Sequence, residues 1–191
     1  MSDQGRGLCD QCRAQLATRL QHFEPPEFIR SAWALGSYDG PLGALIRRGK
    51  YSRDGQTLQG LGRWLAGAAR GRMPPVDRVT HVPVPWPRKL RRGFDQSEIL
   101  AAPVAKALGL PHASLLRRRH RTDQVGRSRR ERRQWAREAF VAVELAGDRV
   151  LLVDDICTTG STASGCAAAL LTAGASRVDL LCVARTASDL E

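Results

Sequence analysis

Two segments of the chain are apolar almost without interruption, while others place their apolar residues at regular spacing. Residues 149–163 read "RVLLVDDICTTGSTA": four consecutive aliphatic residues run into two carboxylates and then into small hydroxylated residues around a glycine. A short valine- and leucine-rich run predicts a strand, and its lack of alternation predicts burial on both faces. "SRVDLLCVAR", 176–185, reads the same way. "RVTHVPVPW", 78–86, predicts a strand ending in prolines, and "ASLLRR" (113–118) and "AFVAVE" (139–144) predict two short ones. Further upstream, "SAWALGSYDGPLGALIRRGKYS" predicts a strand or two, a turn at Asp39-Gly40-Pro41 and a short helix around 42–48.

Leu58, Leu61, Leu65 and Ala68 recur at helical spacing over 56–70, which predicts an amphipathic helix ended by "RGRMPPVDR". "SEILAAPVAKALG", 97–109, predicts a helix with Ser97 as N-cap and Gly109 as its stop, and "STASGCAAALLTAG" predicts another ending at Gly174. Strands alternating with helices argue for an α/β domain whose central parallel sheet is covered on both sides. "EPPE", 24–27, marks a linker, so residues 1–30 are expected to form a short leader or hood and 31–191 the main domain.

Composition fits one domain with a modest appendage: 191 residues, 42% of them apolar. No window holds the roughly 18 consecutive apolar residues of a membrane span. The start "MSDQGRGLCDQC" lacks the order of a signal peptide, so a cytoplasmic protein is expected. Three of the five cysteines lie in segments read as core or site, which argues for reduced thiols over a disulfide framework. The formal net charge of +11 changes the picture, because ten arginines against two acids crowd into 117–137. Such a run can be a solvated loop or helix, a clamp on a phosphorylated small ligand, or a track along a nucleic-acid backbone. Only Trp135 interleaves an aromatic ring there.

In an open parallel sheet ligands sit beyond the carboxyl ends of the strands, which is where "DDICTTGST" falls. Asp154 and Asp155 are candidate acceptors for vicinal hydroxyls or a hydrated Mg²⁺. Thr158, Thr159, Gly160, Ser161 and Thr162 form a helix-start loop able to hold a phosphate through main-chain N–H groups and the helix dipole, with Gly160 leaving room for close approach. A ligand carrying a ribose diol and a 5′-phosphate satisfies both halves. The Gly-Lys-Ser/Thr ending of an ATPase loop and the three glycines of a dinucleotide loop are both absent. A purely structural strand-to-helix turn needs neither the acid pair nor the hydroxyl run.

The motif "VLLVDDICTTGSTA" resembles the ribose-phosphate loop of type I phosphoribosyltransferases. "HVPVPWPRKLRRGFDQSEILA", "RTDQVGRSRRERRQWAREAF" and "YDGPLGALIRRGKY" are similar to segments of the ComF family, competence-associated proteins with a type I phosphoribosyltransferase-like fold. The resemblance spans about 32–185. Asp95 and Trp135 stand where the family usually has Asn, so a polar role at these positions is not carried over. Family members commonly open with two Cys-x-x-Cys pairs that hold zinc; here one pair remains, Cys9 and Cys12, and two thiolates do not close a tetrahedral site. Zinc is therefore not expected, and His22 reads as a surface residue.

The resemblance implies binding of phosphoribosyl pyrophosphate or another ribose phosphate with Mg²⁺, and transfer of the phosphoribosyl group to an acceptor that the sequence does not name. On that reading Asp154 and Asp155 hold the ribose hydroxyls and orient Mg²⁺, 158–162 hold the 5′-phosphate, and Arg91 and Arg92, expected in the loop after the Pro-Val-Pro strand, meet the pyrophosphate. The arginine-rich insert takes the place of the family's mobile lid. Thr158 stands where purine-salvage members carry an acid, and Cys157 has no histidine near it in sequence to make it a nucleophile. The alternative is a non-catalytic accessory protein of the same fold that binds single-stranded DNA or the competence helicase machinery.

Overall fold

The computed structural model describes residues 19–51, 55–119 and 139–186. Cys9, Cys12, Trp135 and the arginines of the insert beyond Arg119 lie outside them. Seven strands and five helices are seen among the described residues: β1 Gln21–Phe23, β2 Ala32–Ser37, α1 Pro41–Tyr51, α2 Gly55–Ala69, β3 Arg78–His81, α3 Trp86–Arg92, α4 Gln96–Leu108, β4 Leu116–Arg118, β5 Phe140–Ala142, β6 Arg149–Cys157, α5 Ser161–Thr172 and β7 Arg177–Arg185. Five strands make one sheet in the order β1-β2-β7-β6-β3, parallel except for β1, which runs antiparallel along β2.

The two unbroken apolar runs become the centre of this sheet. Val150, Leu151, Leu152 and Val153 of β6 are fully buried, as are Leu180, Leu181, Cys182 and Val183 of β7. Alternate residues serve opposite layers. Leu151, Val153, Leu181 and Val183 pack with Leu58, Leu61 and Leu65 of α2 and Leu100 and Val104 of α4. Val150, Leu152, Leu180 and Cys182 pack with Cys166, Ala167 and Leu170 of α5 and with Leu116 and Phe140. The helical spacing over 56–70 is thus the face of α2 that the sheet buries.

Three expectations are corrected. The strand from Arg78 stops at His81, and Trp86–Arg92 coil into α3, because prolines at the first helical positions lack only an N–H that the helix would leave unpaired. Asp95, not Ser97, caps α4: its Oδ1 accepts from the N–H of Ser97 at 3.1 Å and of Glu98 at 3.3 Å. The expected stop at Gly109 holds, in the left-handed conformation. Finally, β4 and β5 leave the central sheet and pair with each other as an antiparallel two-stranded unit over α5. No described helix is long and apolar enough to cross a membrane.

Candidate functional site

The strand β6 does not end at its acids; it carries them inside and runs on to Cys157. Neighbouring strand side chains point to opposite faces, so the pair is divided. Asp155 is buried on the α1 side, where Lys50 Nζ lies 2.8 Å from its Oδ2. Asp154 Oδ1 accepts from Ser97 Oγ at 3.0 Å and from the Asp155 N–H at 2.8 Å, while no described residue donates to its Oδ2. Burial pushes the Asp154 carboxyl up to about 8, and the charge of Asp155 adds to the rise. Of the two acids expected to share one diol, one has an uncommitted oxygen and the other is held by a lysine that the sequence reading had not assigned.

Beyond Cys157 the chain turns into α5. Thr158, Thr159, Ser161 and Thr162 are exposed, and Thr159 Oγ1 lies 3.0 Å from Ser161 Oγ. The first main-chain hydrogen bond of α5 runs from Ser164 N–H to the Gly160 carbonyl, and no side chain caps the helix. Among the described residues the N–H groups of Ser161, Thr162 and Ala163 have no partner, which is the opening an anion fills. Gly160 has φ +72°, and a Cβ there would lie 2.6 Å from Pro26 Cγ. The close approach that requires glycine is made by Pro26 of the chain itself.

A cavity of about 750 Å³ opens between the segment after β3 and the β4 strand, and Thr162 of the α5 first turn lines it. Arg88 and Lys89 of α3 and Arg117, Arg118 and Arg119 bring five cationic side chains to its wall, and the exposed ring of Trp86 stands there too. Arg91 and Arg92 are not on this wall. Coiling of the segment into α3 leaves Arg91 exposed, and Arg92 Nη1 donates to Gln96 Oε1 at 2.9 Å. The wall also includes His81, whose Nδ1 is 3.2 Å from His112 Nε2; burial pulls both imidazoles below the usual histidine range.

Lys50, Arg88, Lys89, Ser97 and the His81–His112 pair escaped the sequence reading as site residues. Arg88 and Lys89 sit in the same basic run as Arg91 and Arg92, and only the helical phase separates them. Cys157 is buried, accepts from the Gly160 N–H and has its thiol pushed up to about 11, first by burial, which makes it a poor nucleophile. It faces a smaller pocket of about 230 Å³ between Phe23–Pro26 and the loop. His22 is exposed, edge-on to the Trp33 ring at 5.7 Å. No group of three or more His, Cys, Asp or Glu able to hold a metal occurs among the described residues. Mg²⁺ is usually held by one or two carboxylates together with substrate phosphates and water, and Asp154 Oδ2 fits that pattern as a single protein donor.

The phosphoribosyl transferase domain family matches residues 95–191, from the α4 cap through β7, and the molecule is a phosphoribosyltransferase-domain protein. It is 34% identical over 195 residues to the DNA utilization protein YhgH of Escherichia coli K12, covering 94% of this chain and 84% of that one. To Competence protein F of Haemophilus influenzae it is 31% identical over 169 residues, 81% of this chain and 74% of that one. The chain belongs to the ComF family. Similar solved structures include a glutamine phosphoribosylpyrophosphate amidotransferase from B. subtilis (28% identity, 65% of this chain, 25% of that one, TM-score 0.47) and an adenine phosphoribosyltransferase from Leishmania tarentolae (13%, 86% and 94%, 0.46).

Proposed function

We propose that this protein binds phosphoribosyl pyrophosphate at the carboxyl end of β6 and transfers its phosphoribosyl group to an acceptor. One observation carries the reading: Thr162 belongs both to the uncapped start of α5 and to the wall of a cavity lined with five cationic side chains. The 5′-phosphate takes the N–H groups of Ser161, Thr162 and Ala163 together with the hydroxyls of Thr158, Thr159, Ser161 and Thr162. Asp154 Oδ2 exchanges a hydrogen bond with a ribose hydroxyl. Arg88, Lys89, Arg117, Arg118 and Arg119, in place of Arg91 and Arg92, neutralise the departing pyrophosphate. Asp154 would be the protein group to hold a Mg²⁺ brought in on the donor's phosphates, and that ion would supply further positive charge for the leaving group. Asp155 acts at one remove, fixed by Lys50. In such a transfer the chain chiefly positions the donor and offsets charge as the bond to pyrophosphate breaks.

The test is calorimetry with phosphoribosyl pyrophosphate and Mg²⁺ on the natural chain and on Asp154→Asn. Heat of binding in the first and a large loss in the second support the reading; equal heats remove Asp154 from it.

A second reading, binding of single-stranded DNA, is favoured by Trp86 and Leu90, which are 57% and 65% exposed one turn apart on a helix with no buried residue. An open indole beside Arg88, Lys89 and Arg117 suits base stacking over a phosphate track. The names of the relatives, DNA utilization protein and Competence protein F, agree with such a role. Trp86→Ala should weaken oligonucleotide binding without changing its salt slope, and Arg117→Ala should flatten the slope. An unchanged affinity in both variants would discard this reading.

A further inference from the structure

The segment "RRGFDQSE", 91–98, makes none of the ligand contacts assigned above, although the sequence comparison to the family rests partly on it. Its polar residues other than the exposed Arg91 bond within the protein. Arg92 Nη1 donates to Gln96 Oε1. Asp95, 4% exposed, uses Oδ1 for the first turn of α4 and Oδ2 to accept from the Val84 N–H at 3.1 Å. Ser97, 1% exposed, sends its hydroxyl to Asp154 Oδ1 at 3.0 Å. Two residues apart, Asp95 and Ser97 therefore touch both sides of the site: the Pro83–Val84–Pro85 loop before α3, whose residues line the cavity, and the acid on β6.

We infer that Asp95 and Ser97 are positioning residues, a two-point brace that holds the backbone at Val84 and the carboxyl group of Asp154 in fixed relation. The inference deepens the donor-binding reading and rests on it for its ligand. Its chemistry explains the departure at Asp95. Three N–H groups point at this side chain, and a carboxylate accepts from all three with its two oxygens. An asparagine keeps the two capping bonds but turns an NH₂ toward the Val84 N–H, so Asp95→Asn cuts the loop tether and spares the cap. The polar role that the family comparison did not carry over is thus supplied by the structure. Ser97→Ala likewise frees Asp154 Oδ1 of its hydroxyl donor, leaving the Asp155 N–H, and Ser97→Thr restores the donor. Removing a hydrogen-bond partner one step behind a ligand-binding group typically costs 10–100-fold in affinity, the scale known from metal sites.

The experiment measures affinities of the full chain for Mg²⁺-pyrophosphate and for ribose 5-phosphate, with amide hydrogen exchange on the same proteins. Asp95→Asn is expected to weaken pyrophosphate binding about ten-fold and ribose 5-phosphate binding less. Ser97→Ala is expected to show the opposite preference, with Ser97→Thr recovering it. A merely stabilising role would lower the melting temperature and leave both affinities of the folded protein alone; that result overturns the proposal. If the natural chain binds neither probe, the donor reading falls instead, and exchange decides the brace. Faster exchange of the Val84 amide in Asp95→Asn, with the Ser97 and Glu98 amides still protected, supports it, and unchanged Val84 protection overturns it.

Discussion

Gly160→Ala tests how the phosphate loop is packed. The residue has φ +72°, where an L side chain costs about 1–2 kcal/mol. Its new Cβ would also fall 2.6 Å from Pro26 Cγ and 2.7 Å from Pro26 Cβ, a forced overpacking of the kind that costs about 1–3 kcal/mol. The sum, roughly 2–5 kcal/mol, corresponds in a chain of this size to a fall in Tm on the order of 10 °C. Thermal and urea unfolding read the total, and a second variant divides it. Pro26→Ala in the same chain relieves the contact with Pro26 Cγ but neither the one with Pro26 Cβ nor the backbone strain, so the double variant should be more stable than the two single effects predict by part of that 1–3 kcal/mol, roughly 1 kcal/mol. A loss below about 0.5 kcal/mol in Gly160→Ala, or strict additivity with Pro26→Ala, would refute the reasoning, because a change with no special packing or backbone role stays within that range.

Lys50→Ala leaves Asp155 buried without its cation and should cost about 3–5 kcal/mol, with Asp155→Asn in the same chain recovering much of the loss. Two single losses that simply add would show that the ion pair is not what Lys50 contributes. His81 has its pKa lowered by burial, with His112 adding to the effect and Asp95 opposing it. A depressed histidine binds its proton more weakly in the native state, so its share of stability is complete above about pH 6.5 and is lost as the pH falls from there through the native value. His81→Gln should flatten that acid limb of the stability curve, and an identical limb in both proteins would contradict it.

The centre of the fold could be read directly because β6 and β7 are buried on both faces and so carry no polar alternation to confuse the pattern. The face of α2 was equally plain in its leucine spacing. Other parts were hidden for identifiable reasons. The prolines at 85 and 87 read as a break in structure, yet they sit at the one end of a helix that tolerates them. Asp95 and Ser97 both have capping chemistry, and what separates them is that Ser97 is claimed by Asp154 on a distant strand. Adjacency made Asp154 and Asp155 look like one acceptor, whereas the continuation of β6 past them sends them to different layers. The lysine that takes Asp155 comes from α1, and nothing in local spacing connects the two. Gly160 was read as leaving room for a phosphate, and the group the structure packs against it is Pro26.

The most direct measurement is a crystal structure of the protein grown with ribose 5-phosphate. The account predicts the phosphate oxygens within hydrogen-bonding distance of the main-chain N–H groups of Ser161 and Thr162, with a ring hydroxyl on Asp154 Oδ2. A sugar phosphate bound solely to Arg88 and Arg117, with the start of α5 untouched, would contradict it.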